Sequence, residues 1–493
     1  MTPIVRRILL LSLPMILLSG QARRINAQTV EKEAAERLSF YTLDQCVEMA
    51  LERHVKRQIA RESVRIAEAQ KKQVLSSYWP QLSASALYSV TDEEPTFIFP
   101  ESTIKLPAAF SQIMSALLGM EIDLPAMPVP EQRVKLMDTQ NLAASVKLTL
   151  PLYTGGIRSA LKEQAALGIQ IARNDILKTR NEIVRDVKKY YYAVILTNHL
   201  LDIGQEALDR LQATLDLTES LYKTGSGRVK KTDYLKNKLI VDNVRMLVSD
   251  LQKNSQMAQA ALKFSIGLPW NEPIGLAADA IPYEAMDLDL DSYIHRMLSE
   301  NPELQQARLA TRIFDLKVKE IKGYRYPHVG LVGQYTRLFN RYNDGIMTPE
   351  NKQIWMAGVG ISYSFFNGFR FRNKIQEEIG QARRMHHQYS LFQKGLTLMV
   401  QSHFHQLTAA QAGVDIARDA YATASENLDL VKRAYQIELL TEKDLIEAQI
   451  FEALMKARLE KSFYDHLQIR TDLETLLADQ MTDFIRRRTF EDH

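Results

Sequence analysis

The stretch NLAASVKLTLPLYTGGIRSAL, residues 141–161, changes its pattern halfway along. Up to Leu152 every second residue is apolar, which is the period of a β-strand with one apolar face. After Gly155 and Gly156 the alternation stops, and no further proline occurs until Pro269. The sequence therefore predicts a strand that runs directly into a long helical region.

The composition excludes several classes of function. A net charge of +3 on 493 residues is too balanced to predict nucleic acid as a partner. The single cysteine, Cys46, excludes an intrachain disulfide and has no metal-ligand spacing, so no metal or other cofactor is predicted. Because the sequence also lacks a GxxxxGK[ST] phosphate loop and a convincing Ser/His/Asp cluster, we do not expect an enzyme.

Residues 1–27 have the features of a secretory signal peptide. Arg6 and Arg7 precede an apolar run over residues 8–18, and small residues suitable for cleavage follow, most plausibly after Ala27. An uncleaved anchor is the alternative. The remaining sequence has no run of 18 apolar residues, so no transmembrane helix is predicted there, although an exported chain can still cross a membrane as a β-barrel.

The chain is an internal duplication. Residues 42–90 align without a gap with residues 289–337, at an offset of 247. Beyond a loop the offset becomes 213, which places Gly155 on Gly368. The difference of 34 residues is an insertion in the first copy, within a loop at about residues 91–141, which we call the inserted loop.

Each copy carries two alternating segments of about ten residues, the length of tilted transmembrane strands. They lie at about 81–90 and 141–152 in the first copy and at about 328–338 and 355–366 in the second. Four strands cannot close a barrel alone, and open edges are not tolerated in lipid. We therefore expect the chain to supply part of a shared barrel; a soluble sandwich, whose strands alternate equally well, is the alternative.

The regions after the glycines carry a seven-residue apolar repeat, which predicts helices packed at coiled-coil spacing. A helix over residues 157–222 would be roughly 100 Å long at about 1.5 Å per residue, so an elongated bundle is expected. The same row of six positions is apolar in both copies: Val187, Val194, Leu201, Leu208, Leu215 and Tyr222, and then Val400, Leu407, Val414, Tyr421, Leu428 and Tyr435.

Turn signals divide each helical region into a hairpin, with a first tip at about 223–232 and a second at about 436–443. The predicted organisation is a signal peptide (1–27), a first structural repeat (28–278), a second structural repeat (279–480) and a polar C-terminal tail (481–493).

Over about residues 40–480 these features closely resemble the TolC family of outer-membrane efflux proteins, also called outer membrane factors. The resemblance is carried by the duplication, by TLDQCVEMAL, YWPQLSAS, PLYTGGIRSAL and SFFNGFRFRNKI, and by the two tips. It implies a mainly α fold in which three protomers give four strands each to one 12-stranded β-barrel, while duplicated long hairpins form a hollow α-barrel. Gly155 and Gly156, with Gly368 in the second copy, would be the strand-to-helix corners.

The resemblance also implies a function. The protein would be a trimeric channel-tunnel in the cell outer membrane, with its helical part in the periplasm, acting as the passive exit duct of a tripartite efflux or type I secretion system. Its partners would be two further copies, a periplasmic adaptor (membrane fusion protein), an inner-membrane pump and outer-membrane lipid. The alternative is a structural or adhesive coiled-coil envelope protein without a pore.

In the TolC family a Thr-Asp pair at one tip hydrogen-bonds a tyrosine and an arginine at the other, which holds the entrance shut. By resemblance Thr232 and Asp233 are the pair and Tyr435 is the tyrosine, whereas Leu440 stands at the position of the arginine. This departure puts the charged half of the latch in question. Tyr435 is also the last core residue of its heptad row, and the sequence leaves both roles open.

Asp444 and Glu447 match the acidic residues that line the periplasmic mouth in the family. Facing a symmetry axis in three copies, they would form rings of up to six negative charges that favour cations. Thr441-x-x-Asp444 also has the pattern of a capping box, and acidic residues suit the first turn of a helix on electrostatic grounds. Pore lining and capping are compatible with each other.

Overall fold

The four alternating segments form one antiparallel sheet in the computed structural model, which describes residues 40–123, 126–224, 230–286, 289–340 and 352–478. The predicted signal peptide and C-terminal tail lie outside these residues. The sheet has the order β10-β9-β7-β2. The described strands are β1 Phe40–Tyr41, β2 Gln81–Val90, β3 Thr96–Phe99, β4 Ser102–Ile104, β5 Met127–Val129, β6 Gln132–Lys135, β7 Gln140–Thr154, β8 Gly275–Leu276, β9 His328–Phe339 and β10 Gln353–Ser362.

The register of this sheet aligns the apolar residues of all four strands. One row runs from Ala84 through Val146 and Tyr335 to Trp355. On the other face Ser85 lies opposite Ser145, and their hydroxyl oxygens are 2.9 Å apart. One face is therefore apolar and the other is largely polar, as the alternation predicts.

Strand β10 ends where its neighbour has no more residues to pair with. Ser362 is opposite His328, the first residue of β9, so residues 363–366, although alternating, have no ladder partner. The inserted loop is also structured. Strand β3 pairs with β6 and β4 pairs with β5, and a helix lies between β4 and β5 in the chain.

Helices make up most of the rest, and two of them have 67 residues each. The predicted fold class, long helical hairpins with four strands per chain, is confirmed. No described helix is both long enough and apolar enough to cross a bilayer. The described helices are α1 Leu43–Arg53, α2 Val55–Ser76, α3 Ala108–Leu118, α4 Ile157–Lys223, α5 Lys231–Ile266, α6 Leu290–Glu300, α7 Pro302–Gly323, α8 Arg370–Gln436 and α9 Glu442–Leu476.

The chain divides into two compact units, each built from both repeats. Within the described residues, the strand unit contains 63–173 and 306–390, and the hairpin unit contains 40–62, 174–305 and 391–478. Strands β7 and β9, one from each repeat, pair directly in the strand unit. Neither repeat is therefore an independent folding unit in this architecture.

The largest core cluster lies in the hairpin unit and surrounds α1 and the middle of α4. Tyr191 is almost fully buried, and its hydroxyl donates to the Tyr41 carbonyl at 3.1 Å and accepts from the Ala278 N–H at 3.3 Å. Burial in this core raises the pKa of the Cys46 thiol to about 12. Cys46 therefore stays a neutral packing residue at physiological pH.

Candidate functional site

The first hairpin tip joins α4, which ends at Lys223, to α5, which begins at Lys231. Residues 225–229 of this tip lie outside the described residues. The Asp233 carboxylate accepts a hydrogen bond from the Lys230 N–H at 3.3 Å, so it caps the free end of α5. Thr232 is exposed beside it.

The second tip, between α8 and α9, is a tight turn. The Leu439 N–H donates to the Ala434 carbonyl at 2.9 Å, which closes the C-terminus of α8 in a Schellman-type arrangement. Glu438 in this turn has φ +64°, the left-handed conformation that residues with a side chain rarely adopt. The turn places α9 directly after it, beginning at Glu442.

Asp444 caps α9. Its Oδ2 atom accepts hydrogen bonds from the Thr441 hydroxyl at 2.6 Å and the Thr441 N–H at 2.8 Å, and these bonds lower the pKa of the carboxyl group. The capping role of Asp444 is thus present in the single chain. Glu447 is exposed and lies 3.6 Å from the Lys443 ammonium, in an ion pair of little energetic value. Whether both carboxylates face a pore remains a prediction.

Tyr435 packs against a buried cluster that joins α8 to α9. The cluster consists of Leu428, Leu445 and Ala448. Burial first, and then the nearby Glu442 carboxylate, raise the pKa of the Tyr435 phenol, which is therefore neutral at physiological pH. The core role of Tyr435 is present, and its role in a latch remains a prediction.

A cavity of about 860 Å³ lies at the tips and is lined by both hairpins. It brings together Asp233, Tyr435, Leu440 and Glu447. Thr232 and Asp444 are not among the lining residues described for this cavity. The lysines Lys236 and Lys443 also line it, and its apolar wall is formed by Leu221, Ile240, Ile446 and Ile450.

A buried polar cluster lies beside this cavity, and no local sequence pattern predicts it. The side chain of Thr218 in α4 is fully buried, and its hydroxyl lies 2.6 Å from Oε1 of Glu442 in α9. The Asn237 amide in α5 donates to the same hydroxyl at 3.3 Å. The counterpart of Thr218 in the second copy, 213 residues later, is Val431. A polar residue where the other copy has an apolar one is the signal that could have pointed to the cluster.

Ion pairs and one histidine–carboxylate contact continue this link along the antiparallel helices α4 and α9. The most buried of them joins Arg210 to Glu452, whose side chain is only 9% exposed, at 3.0 Å. These contacts connect the first repeat to the second over much of the hairpin unit. The others are Glu206 with Lys456 at 3.3 Å, His199 with Glu460 at 2.8 Å, Lys189 with Asp472 at 2.7 Å and Lys188 with Glu474 at 3.2 Å.

The predicted corner glycines lie between strand and helix in the strand unit. Gly155 and Gly156, between β7 and α4, have φ +62° and +88°, and Gly368, before α8, has φ +62°. A Cβ atom at Gly155 would lie 2.1 Å from the carbonyl oxygen of Gly323, whereas one at Gly368 would meet nothing within 4 Å. The first corner therefore needs glycine for both conformation and space, and the second needs it for conformation.

In the part of the chain that the structure describes, no three His, Cys, Asp or Glu side chains converge in a way that could hold a metal ion. The imidazole of His386, in the strand unit, lies 3.1 Å from the Asp315 carboxylate on another helix. Two side chains do not make a metal site, so this contact is a structural pairing.

Comparison with known proteins supports the same family. The family described as outer membrane efflux protein matches residues 131–268 and 293–479, which spans both repeats. No curated protein matches the chain in sequence.

Three solved channels have the same fold. The outer-membrane channel OprN is 14% identical, with a TM-score of 0.68, over 89% of this chain and 90% of that one. CmeC of Campylobacter jejuni is 12% identical, with a TM-score of 0.68 over 91% and 88%. VceC of Vibrio cholerae is 16% identical, with a TM-score of 0.66 over 88% and 96%.

These structural neighbours are channels rather than enzymes, and the family match covers more than half of the chain. The predicted TolC-type membership and the outer-membrane localisation are thereby confirmed. The chain belongs to the outer membrane efflux protein family and is an outer-membrane efflux channel.

Proposed function

We propose that the protein works as a homotrimer and forms the passive outer-membrane duct of a tripartite efflux or type I secretion system. The observation that carries the proposal is the open sheet. Within the described residues, β2 and β10 each have one strand partner and leave their outer edges unpaired. Unpaired edges are not tolerated in lipid, so separate copies must join their sheets, and three copies give twelve strands.

The two faces of the sheet support a barrel wall. The apolar row that includes Trp355 belongs to a face with large exposed side chains, among them Leu82, Val359 and Ile361. The opposite face carries Ser85 and Ser145. An apolar face toward lipid and a polar face toward a lumen is the pattern of transmembrane β-barrels.

The hairpin tips would be where the partners act. The energy must come from a partner pump, because the sequence has no phosphate loop. Adaptor contact is proposed at residues 223–231 and 436–442, and residues of the second of these segments line the tip cavity. A partner that inserts there would contact both repeats at once and could separate them.

Opening of the duct would move the second tip away from the first. Asp233 and Tyr435 line one cavity, which supports the proposed latch of Thr232, Asp233 and Tyr435. The contact between Thr218 and Glu442 crosses the same gap without needing the absent latch arginine, since Leu440 stands there. We propose that this contact contributes to holding the closed state.

The first experiment tests the duct itself. Purified full-length protein, reconstituted into planar bilayers, should give single-channel conductance, and outer-membrane fractions should contain heat-resistant trimers. A coiled-coil envelope protein without a pore would give no single-channel current. Trimers without conductance would overturn the duct.

The second experiment tests the mouth. Asp444→Asn with Glu447→Gln removes both negative charges while the asparagine can still cap α9. Block of the current by multivalent cations should weaken, because the proposed rings lose up to six charges. The matched control is Glu426→Gln with Asp429→Asn, an exposed acidic pair of the same spacing on α8. Equal block in wild type and the first variant would remove Asp444 and Glu447 from the mouth.

A further inference from the structure

The tip of the inserted loop is a helix without charged residues. Fifteen consecutive residues, 106–120, carry no charged side chain, and they include all of α3. The corresponding loop of the second repeat is 34 residues shorter and contains no such segment. This helix is therefore an addition that the duplicated architecture does not require.

The first part of the inserted loop extends the pairing of β2 with β7. Beyond the last pair of β2 and β7, Val90 with Gln140, the Thr91 N–H donates to the Thr139 carbonyl and the Leu136 N–H donates to the Pro95 carbonyl, both at 2.8 Å. The β3–β6 and β4–β5 pairs follow, and α3 lies at the far end. Helix α3 is thus carried at the ends of β2 and β7 that lie opposite to the ends joining α2 and α4.

One side of α3 presents an apolar stripe to solvent. Its residues are spaced by four and three positions in turn, and Leu117, the most exposed of them, is 77% exposed. The other side, with Ser111, Met114 and Ser115, is half-buried, and the Ser115 hydroxyl accepts a hydrogen bond from the Ile122 N–H at 2.9 Å. We call this exposed stripe the outer stripe; it consists of Phe110, Ile113 and Leu117 in α3, with Leu106 just before the helix and Met120 just after it.

Two observations indicate what covers the outer stripe. Within α3, Phe110, Ile113 and Leu117 have the three-four spacing of a coiled-coil seam over one heptad, and such a seam packs against a matching helix. A lipid surface fits poorly, because helices that lie on anionic membranes carry lysine or arginine, and α3 has none. The inserted loop as a whole has eight acidic and three basic residues, which adds repulsion from an anionic surface.

We propose that the outer stripe packs against the outer stripes of the other copies, so that three α3 helices cap the outer end of the barrel. The inference rests on the proposed function, because joining the sheets edge to edge brings three inserted loops around one axis. The partner of α3 is then a second copy of this chain, and the cap narrows the exit of the duct.

Cysteine cross-linking in the full-length protein tests the packing. Cys46 is buried and is the sole native cysteine, so Leu117→Cys adds one accessible thiol. Oxidation with copper-phenanthroline in outer membranes should give disulfide-linked dimers of Leu117→Cys and of Ile113→Cys. The matched control is Gln112→Cys, which is exposed on α3 but outside the outer stripe. We expect its dimer yield to be at least about tenfold lower.

The outcomes separate this inference from the proposed function. Heat-resistant trimers that conduct, but in which Leu117→Cys gives no more dimer than Gln112→Cys, would overturn the cap and leave the duct intact. Quenching of a fluorophore on Leu117→Cys by nitroxide lipids would place the stripe in the membrane and would also overturn it. Absence of trimers would overturn both. Dimers with the expected contrast, together with conductance that rises at least twofold in Ile113→Ser/Leu117→Ser, would support the cap.

Discussion

The two repeats carry the same signals at their corners and tips, but in different surroundings. Gly155 and Gly368 share a left-handed φ, yet only Gly155 is closed in by a neighbouring backbone. Asp233 and Asp444 are each the third residue of the second helix of a hairpin. Asp444 accepts two short hydrogen bonds, whereas Asp233 accepts one at 3.3 Å from the residues that the structure describes. Duplication has kept the local backbone, whereas the tertiary contacts of the two copies differ.

The helices that follow the two tips differ most at their first residue. Helix α5 begins with Lys231 and α9 begins with Glu442. Of these two side chains only the glutamate can accept a hydrogen bond from the buried Thr218 hydroxyl, which also lies 2.8 Å from the Thr214 carbonyl oxygen in its own helix. Glu442 therefore links the second tip to the first repeat. Lys231, the first residue of α5, cannot make the corresponding contact.

The largest difference in stability between the two repeats is expected at the corner glycines. Gly155→Ala should cost about 2 to 5 kcal/mol, because a left-handed alanine costs about 1 to 2 kcal/mol and overpacking adds about 1 to 3 kcal/mol. Gly368→Ala should carry the conformational cost of about 1 to 2 kcal/mol alone. The apparent melting temperature of purified protein at one fixed scan rate should therefore fall further for Gly155→Ala. Equal decreases would show that the Gly323 backbone moves aside freely.

A smaller effect is expected at the tie between the repeats. Thr218→Val removes a hydrogen bond to a carboxylate, which should cost about 1.5 to 3 kcal/mol. Amide exchange should accelerate at the start of α9, and spontaneous opening in bilayers should become more frequent. The matched control is Thr214→Val, one turn earlier, because that buried hydroxyl donates to the Arg210 carbonyl instead of a carboxylate. The same acceleration in both variants would contradict a specific tie.

The smallest effect is expected in the pH dependence of the helix cap formed by Asp444. The folded pKa of Asp444 lies below its ordinary value, so its cap stabilises α9 above the unfolded pKa and the stabilisation is lost as pH falls through the folded pKa. The ratio of exchange rates at residues 442–445 between Asp444→Ala, which has no cap, and wild type should therefore stay constant near neutral pH. It should decrease toward one only below the ordinary pKa of an aspartate, about 3.9. A ratio that already changes near pH 6 would contradict this assignment.

Much of the fold could be predicted because its signals are local. Alternation over ten residues, the heptad row and the glycines at 155, 156 and 368 predicted strands, long helices and corners. The same holds for the capping pattern of Thr441 and Asp444. Each signal concerns residues within a few positions of one another, whose interactions are set by helix and strand geometry.

The candidate site could be predicted only in part, because its remaining contacts join distant segments. Thr218 and Glu442 are 224 positions apart, and nothing near either residue indicates the other. Glu452 is buried in α9, and the Arg210 that pairs with it comes from the other repeat. Buried polar groups are tolerated where a partner is present, and no local pattern names that partner.

The two periodicities, the corners and the helix caps could be predicted from the sequence because each depends on the geometry of a short stretch of backbone. The pairing of β7 with β9, the packing of α4 along α9 and the contact of Thr218 with Glu442 are visible only in the folded chain. These choices join the first repeat to the second. They follow from which surfaces bury apolar area and satisfy polar groups together, and that balance is struck across hundreds of residues.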